Sequence, residues 1–216
     1  MYRNTMPRPR GDHEARRRDL AEAVWRVLAE HGFGGLTMRA VAAELNATTG
    51  LLTHYFPTKR DLLAYALELL DSRTDARPRR ERGEGLGAIR AALLDILPLT
   101  PQDAAANKTW ISSWDAALGD EGLSAGHAAR YARSRARMRV LVEAAQARGE
   151  IRAGDPDRVS EGAHAFVLGL VVQAVFDPAA FPHERQIELL DGYLASLGPG
   201  GTPGEPGAPP ADHFNP

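Results

Sequence analysis

Residues 37 to 58 constrain this chain more than any other stretch, because three helix starts and a turn are crowded into it. Thr37 can cap a helix in which Met38, Val41, Ala42 and Leu45 recur at i, i+3, i+4 and i+7, giving one apolar face. Asn46-Ala47 interrupts it with a tight turn. Thr48 or Thr49 caps a very short next helix that ends near Phe56, since Pro57 has no amide to continue it. Thr58 starts another, with Asp61 placed to complete a capping box and Leu62, Leu63, Ala66, Leu67 and Leu70 on its buried side. Upstream, Leu20, Val24, Val27 and Leu28 share one face of a helix from about Asp12 to His31, which Gly32, Gly34 and Gly35 end. Two short helices joined by a tight turn can lay the second across a DNA major groove while the first crosses the backbone.

The rest of the chain also reads as helix. Arg77 to Gly87 is an Arg- and Gly-rich loop, and helical stretches follow over roughly 86–98, 102–118, 124–149, 156–176 and 183–197. Pro98/Pro101, Gly119/Gly122, Gly149/Gly154 and Pro178/Pro182 separate them. No run alternates with period two for long enough to form a sheet. The expected fold is all-α, with about nine helices: an N-terminal three-helix helix-turn-helix domain and a larger helical domain. The expected division is a flexible basic arm over 1–13, the helix-turn-helix domain with its connecting helix over 14–72, and a larger helical domain over 84–197. In the tail, 198–216, eleven of nineteen residues are Gly or Pro, a composition expected to stay disordered.

Charge is distributed unevenly. Residues 1–60 hold ten Lys/Arg against six Asp/Glu, and the remainder sixteen against twenty-two. A basic module joined to an acidic one suits phosphate neutralisation by the first. There are no cysteines, which removes disulfides and thiolate metal sites. The basic N-terminus has no apolar core behind it and is not read as a signal peptide. The longest apolar candidate, Ala165 to Phe176, contains Gly169 and Gln173 and is too short to span a bilayer. The expected location is the cytoplasm.

The stretch LTMRAVAAELNATTGLLTHYFPTKRDLL, with the amphipathic helix before it, resembles the N-terminal domain of the TetR family over residues 14–63. The resemblance implies a one-component transcriptional regulator, a repressor that binds palindromic operator DNA as a dimer and leaves it when a small molecule binds. It places Thr37 and Arg39 at the head of the support helix, with Arg39 reading a guanine and Thr37 holding a phosphate. Thr48, Thr49, Gly50 and Leu51 would face the groove. Tyr55 and Lys59 would clamp phosphates, with Thr53 and His54 as further contacts. Thr48 stands where the family often has Ser. Only Leu52 matches the family's core position, so Leu51 is either a thymine-methyl contact or buried. Arg16, Arg17 and Arg18, and the arm carrying Arg3, Arg8 and Arg10, are either phosphate contacts or solvated.

The C-terminal part resembles the effector domain of the choline-responsive betaine-synthesis repressors, through Thr109-Trp-Ile-Ser-Ser-Trp-Asp115, Arg139-Val-Leu-Val142 and Gly162-Ala-His-Ala-Phe-Val-Leu-Gly-Leu170. Trp110 and Trp114 are four apart and share a helix face beside Asp115, an arrangement suited either to a quaternary or protonated amine or to a plain core. Tyr131, His127, His164, Phe166 and Gln173 are further candidate walls, Gln173 being the lone polar residue in an apolar helix. The helix 156–176 is apolar nearly all round, and Ile187, Leu190, Tyr193, Leu194 and Leu197 line the last one. The family implies pairing of these two helices across a two-fold axis. Five arginines within Arg130–Arg139 read as a solvated face. No cofactor is expected. Gly122-Leu-Ser-Ala-Gly126 matches a hydrolase elbow but follows a helical pattern, not a strand, and Gly83-Glu-Gly-Leu-Gly87 lacks the dinucleotide spacing. The rival classes are a DNA-binding protein without a ligand and, further off, a hydrolase.

Overall fold

The computed structural model describes residues 10–81 and 83–199; among these are nine helices and no strand. The helices are α1 (Arg10–Gly35), α2 (Met38–Glu44), α3 (Thr49–Leu52), α4 (Lys59–Asp75), α5 (Gly85–Leu94), α6 (Pro101–Leu118), α7 (Glu121–Ala147), α8 (Pro156–Phe176) and α9 (His183–Ser196). Arg3, Arg8 and the tail beyond residue 199 lie outside the described residues, as does the side chain of Arg10.

Local chemistry sets most of the boundaries. α1 leaves helical geometry at Gly32, where φ is 62° and ψ is −169°. A Cβ there would stand 3.1 Å from Ser112 Oγ, which accepts a hydrogen bond from the Phe33 amide at 3.2 Å. Thr37 caps α2 by accepting from the Ala40 amide at 3.1 Å. Asn46 carries the turn at a φ of 50°, a left-handed conformation Asn tolerates better than most residues. α3 stops at Leu52, earlier than the sequence pattern indicates, although the Tyr55 and Phe56 amides still reach the Leu52 carbonyl at 2.9 and 2.8 Å. Thr58 and Asp61 form the expected capping box of α4: Thr58 Oγ1 accepts from the Asp61 amide at 3.2 Å, and Asp61 Oδ2 from the Thr58 amide at 2.9 Å.

Packing divides the chain into two compact units that interleave along the sequence. Among the described residues the first runs to Pro78 and resumes over Thr100–Ala132; the second is Arg79–Leu99 and the stretch from Arg133 to residue 199. In the first, Leu20, Val24, Leu28, Leu36, Val41, Leu52, Leu62 and Leu70 are buried together with Trp110, Ala117 and Leu123 from α6 and α7. The core of the head is therefore closed by residues far along the chain. In the second, Ile89, Leu93, Val142, Val167 and Leu190 are fully buried. A fork from Arg90 to Asp191 (2.6 and 3.0 Å) ties α5 to α9 there.

The apolar stretch near Phe176 proves longer than its sequence indicates. As a 21-residue helix, α8 is long and apolar enough to cross a membrane by those two measures alone. Yet Ser160, Ala163, His164, Val167, Leu170, Val171 and Ala174 form one buried face within the second unit, which is how a core helix sits.

Candidate nucleic-acid interface and the cluster behind it

The first unit presents one polar surface built from α2, α3 and the start of α4. Thr37, Arg39, Thr48, Thr49, Gly50, Thr53, His54 and Lys59 are all exposed on it. Tyr55 is half-buried, packed on the core beside Phe56, whose ring lies tilted against Tyr65 at 5.1 Å between centroids. Thr53 turns its hydroxyl back to donate to the Gly50 carbonyl at 2.8 Å, and Thr37 is engaged as a cap. Of the two leucines, Leu52 is fully buried and Leu51 is 46% exposed, so the structure resolves which of them faces outward.

The cations near this surface fall into two groups. Arg26 on α1 pairs with Glu44 on α2 at 2.6 Å, and Arg60 pairs with Asp120 at 2.8 Å. Both brace the head internally, and neither pair is legible from spacing, because the partners are distant in the chain. Arg39 and Lys59 make no ion pair among the described residues, which leaves two outward cations beside α3. Arg16, Arg17 and Arg18 are exposed on α1.

Behind the surface, a polar cluster joins α4 to α6 and α7. Trp110 is buried, and its indole N–H donates to Thr74 Oγ1 on α4 at 3.0 Å. The guanidinium of Arg130 lies over the indole face, 3.5 Å from the ring centroid, and Nε donates to Asp71 on α4 at 3.0 Å. Arg130 therefore departs from the solvated face expected for its arginine run: the indole and a carboxylate draw it inward. Burial works against its charge and Asp71 supports it. Arg139, in the same run, stays exposed between Glu143 and Asp157 at 2.9 and 3.3 Å.

His127 completes the cluster and reveals its own tautomer. Ser113 is buried and uses its single proton on the Trp110 carbonyl at 2.6 Å. Its contact with His127 Nε2 at 3.1 Å then requires the ring to donate, so the proton sits on Nε2. Nδ1 is left as a buried acceptor with no hydrogen-bond partner among the described residues. Burial lowers the His127 pKa, and Arg130 lowers it further, so the ring is neutral. Its neighbours are Trp110, edge-on at 5.8 Å, and Tyr131 at 5.9 Å.

The remaining residues expected at an effector site are distributed as follows. Trp114 and Tyr131 are half-buried and Asp115 is exposed, all in the first unit. Phe166 and Gln173 belong to the second, where Phe166 stacks on Tyr193 at 4.4 Å. Gln173 is exposed, and its side chain donates to the Gly169 carbonyl at 3.4 Å. His164 is buried. Ser124, centre of the hydrolase-like pentapeptide, lies inside α7, whose start Asp120 caps by accepting from the Leu123 amide at 3.0 Å. Gly83-Glu-Gly-Leu-Gly87 is the entry to α5, where the Leu86 amide donates to the Glu150 carboxylate at 2.6 Å. Neither segment is a strand-to-helix elbow or a phosphate loop. Among the described residues no cluster of His, Asp and Glu is placed to hold a metal.

Comparison with known proteins gives one consistent answer. Residues 20–66 match the family model of bacterial regulatory proteins of the tetR family, and 87–199 that of the BetI-type transcriptional repressor, C-terminal. The HTH-type transcriptional regulator PksA of Bacillus subtilis is 29% identical over 190 residues, covering 86% of this chain and 91% of its own length. The HTH-type transcriptional regulator BetI of Burkholderia thailandensis is 26% identical over 191 residues, covering 87% and 95%. In fold, a transcriptional regulator from Rhodococcus sp. Rha1 superposes with a TM-score of 0.72 at 24% identity, covering 83% of this chain and 94% of that one. A putative regulator from Saccharomonospora viridis, solved in complex with choline, gives 0.71 at 20%, covering 84% and 96%. The chain is a member of the TetR family of bacterial transcriptional regulators, a DNA-binding protein and not an enzyme, with a C-terminal part of the BetI type.

Proposed function

We propose that this protein is a dimeric repressor that grips a palindromic operator through α2, α3 and the start of α4, and lets go when a small molecule binds. The observation that carries the reading is the outward surface of Thr37, Arg39, Thr48–Leu51, Thr53, His54 and Lys59, with Arg39 and Lys59 in no ion pair among the described residues and a short helix of small residues beside them. Lys59 and Tyr55 hold phosphates; Arg39 and the residues of α3 read base edges. Residues 14–72 act as the reading domain and 84–197 as the dimerising and sensing one. Two copies pair through the outward face of α8 and through α9, and their recognition helices must lie about 34–36 Å apart, or a multiple, to enter major grooves on one side of the duplex. The family relationship and the choline complex of one structural neighbour support a small-molecule effector, for which Trp114, Asp115 and Tyr131 of the first unit are the candidate contacts. It acts by favouring a spacing of the heads that does not fit the operator.

The test is an anisotropy titration against the DNA upstream of the protein's own gene and against operators selected from a random pool, over a salt series. Lys59→Ala is expected to weaken binding to all sequences and reduce the salt slope by about one unit, and Arg39→Ala to relax preference at one base step. Equal affinity of Lys59→Ala and wild type at every salt concentration would refute this docking.

A further inference from the structure

A cation on an aromatic face beside a carboxylate is the arrangement by which a quaternary or protonated amine is bound. Here the chain supplies the cation itself. Arg130 lies 3.5 Å from the Trp110 centroid and holds Asp71 at 3.0 Å. Resting on the reading that a small molecule governs DNA binding, we propose that Arg130 is a specificity residue: it fills the cation site between Trp110 and Asp71 and excludes amines, so an effector that contacts this cluster carries no positive charge.

Four features make the occupancy hard to reverse. Trp110 cannot turn to offer another face without breaking its bond to Thr74, and His127 stands against its edge. A second cation beside Arg130 meets like-charge repulsion in a half-buried setting, where a few ångströms of separation leave little screening. A cation that evicts Arg130 competes with a tethered side chain, whose effective concentration is on the order of millimolar or higher. An uncharged or anionic molecule that evicted it would cost the Asp71 carboxylate its Arg130 partner and offer no charge in return. The charged state of Arg130 is also felt by His127, whose proton affinity it lowers. The exchange has a mechanical side. Trp110–Thr74 and Arg130–Asp71 both end on α4, the helix that starts at the reading surface, so the internal cation also holds α4 to α6 and α7.

Choline chloride, with sodium chloride at equal ionic strength as control, is the probe. In full-length wild type the Arg130 Nε–H and Trp110 indole N–H resonances are expected to stay in place as choline rises into the millimolar range. In Arg130→Ala choline is expected to bind at least tenfold more tightly than in wild type, by calorimetry, and Arg130→Ala combined with Asp71→Asn is expected to lose that gain. A saturable choline shift of either resonance in wild type overturns the proposal, as does an Arg130→Ala protein that is folded by circular dichroism yet binds choline no better. Should Arg130→Ala fail to fold, the wild-type titration alone decides by the same two outcomes. Operator binding is measured separately, so a wild type that binds no specific DNA counts against the repressor reading and leaves the choline result standing.

Discussion

Leu51 and Leu52 are identical side chains on adjacent positions, and a turn of 100° separates their fates. Leu52 is sealed in the core, while Leu51 is one of four large apolar side chains that stay exposed among the described residues, and it sits on the surface of α2, α3 and the start of α4. A leucine among threonines on such a surface is suited to a thymine methyl. Operators selected by the wild type are expected to carry a thymine in each half-site whose replacement by deoxyuridine weakens binding roughly fourfold, the worth of about 0.8 kcal/mol for one methyl. Leu51→Ala should be indifferent to that replacement; equal sensitivity in both proteins would remove Leu51 from the reading set. A second residue-scale outcome concerns His127. Its folded pKa lies below the ordinary value of about 6.5, so folded and unfolded forms are both neutral above that pH and the histidine adds no pH dependence there. Below it the unfolded chain takes a proton that the folded one refuses, and stability falls as pH drops from about 6.5 towards the folded value. Urea midpoints between pH 7 and pH 5 should show this fall, and His127→Gln, which keeps a donor toward Ser113, should flatten it. The exposure of Thr37, Arg39, Thr48–Leu51, Thr53, His54 and Lys59 agrees with the placement that the family resemblance implies, because the motif that carries it is local in the chain. The inward turn of Arg130 was not legible in the sequence, since its carboxylate is 59 positions away and nothing in an arginine run marks which member turns inward.

Helix starts illustrate the same contrast between near and distant partners. Thr37, Thr58 and Thr100 each accept from an amide three residues on, at 3.1, 3.2 and 3.1 Å, and all such pairs can be read from the sequence. α5 is different. Its first turn is capped by Glu150, which approaches from another helix end and is itself held by Arg148 at 2.6 Å. That approach depends on Gly85, at a φ of 57°, where a Cβ would fall on the Glu150 carboxylate. Gly85→Ala is therefore expected to lower stability by about 2 kcal/mol, from left-handed backbone strain together with displacement of the cap, seen as a lower urea midpoint with an unchanged slope. Gly87→Ala, with open space at its Cβ, should be neutral or slightly stabilising and serves as the control. The length of α3 was overestimated from sequence because Pro57 marks only the last place a helix can stop. The turn onto the Leu52 carbonyl closes sooner.

At the scale of the molecule, α8 has one buried face and one open one. Gly162, Ala165, Gly169, Gln173 and Phe176 lie along the open side, and Phe176 is 74% exposed. Small residues with an exposed aromatic at the end suit close approach of a second copy. Gly169→Glu is expected to give a monomer by sedimentation and to lower operator affinity by roughly tenfold or more through lost bivalency, with the helix content unchanged. A dimer that survives this substitution would place the interface elsewhere. The apolar period of α8 was plain in the sequence; which half of it meets solvent was not, since that depends on where α9 and α5 pack.

The interleaving of the two units also bears on how such a protein can be rebuilt. Trp110, Ala117 and Leu123 finish the core that Leu20 to Leu70 begin. The reading head is thus no cassette that ends with α4. A chimera cut after Asp75 would carry a recognition helix on a half-open core, whereas one that also takes over Thr100–Ala132 transplants the whole folded body. For this regulator the exchangeable part is discontinuous in sequence, and a designer of hybrid sensors has two junctions more to place than the motif alone would indicate.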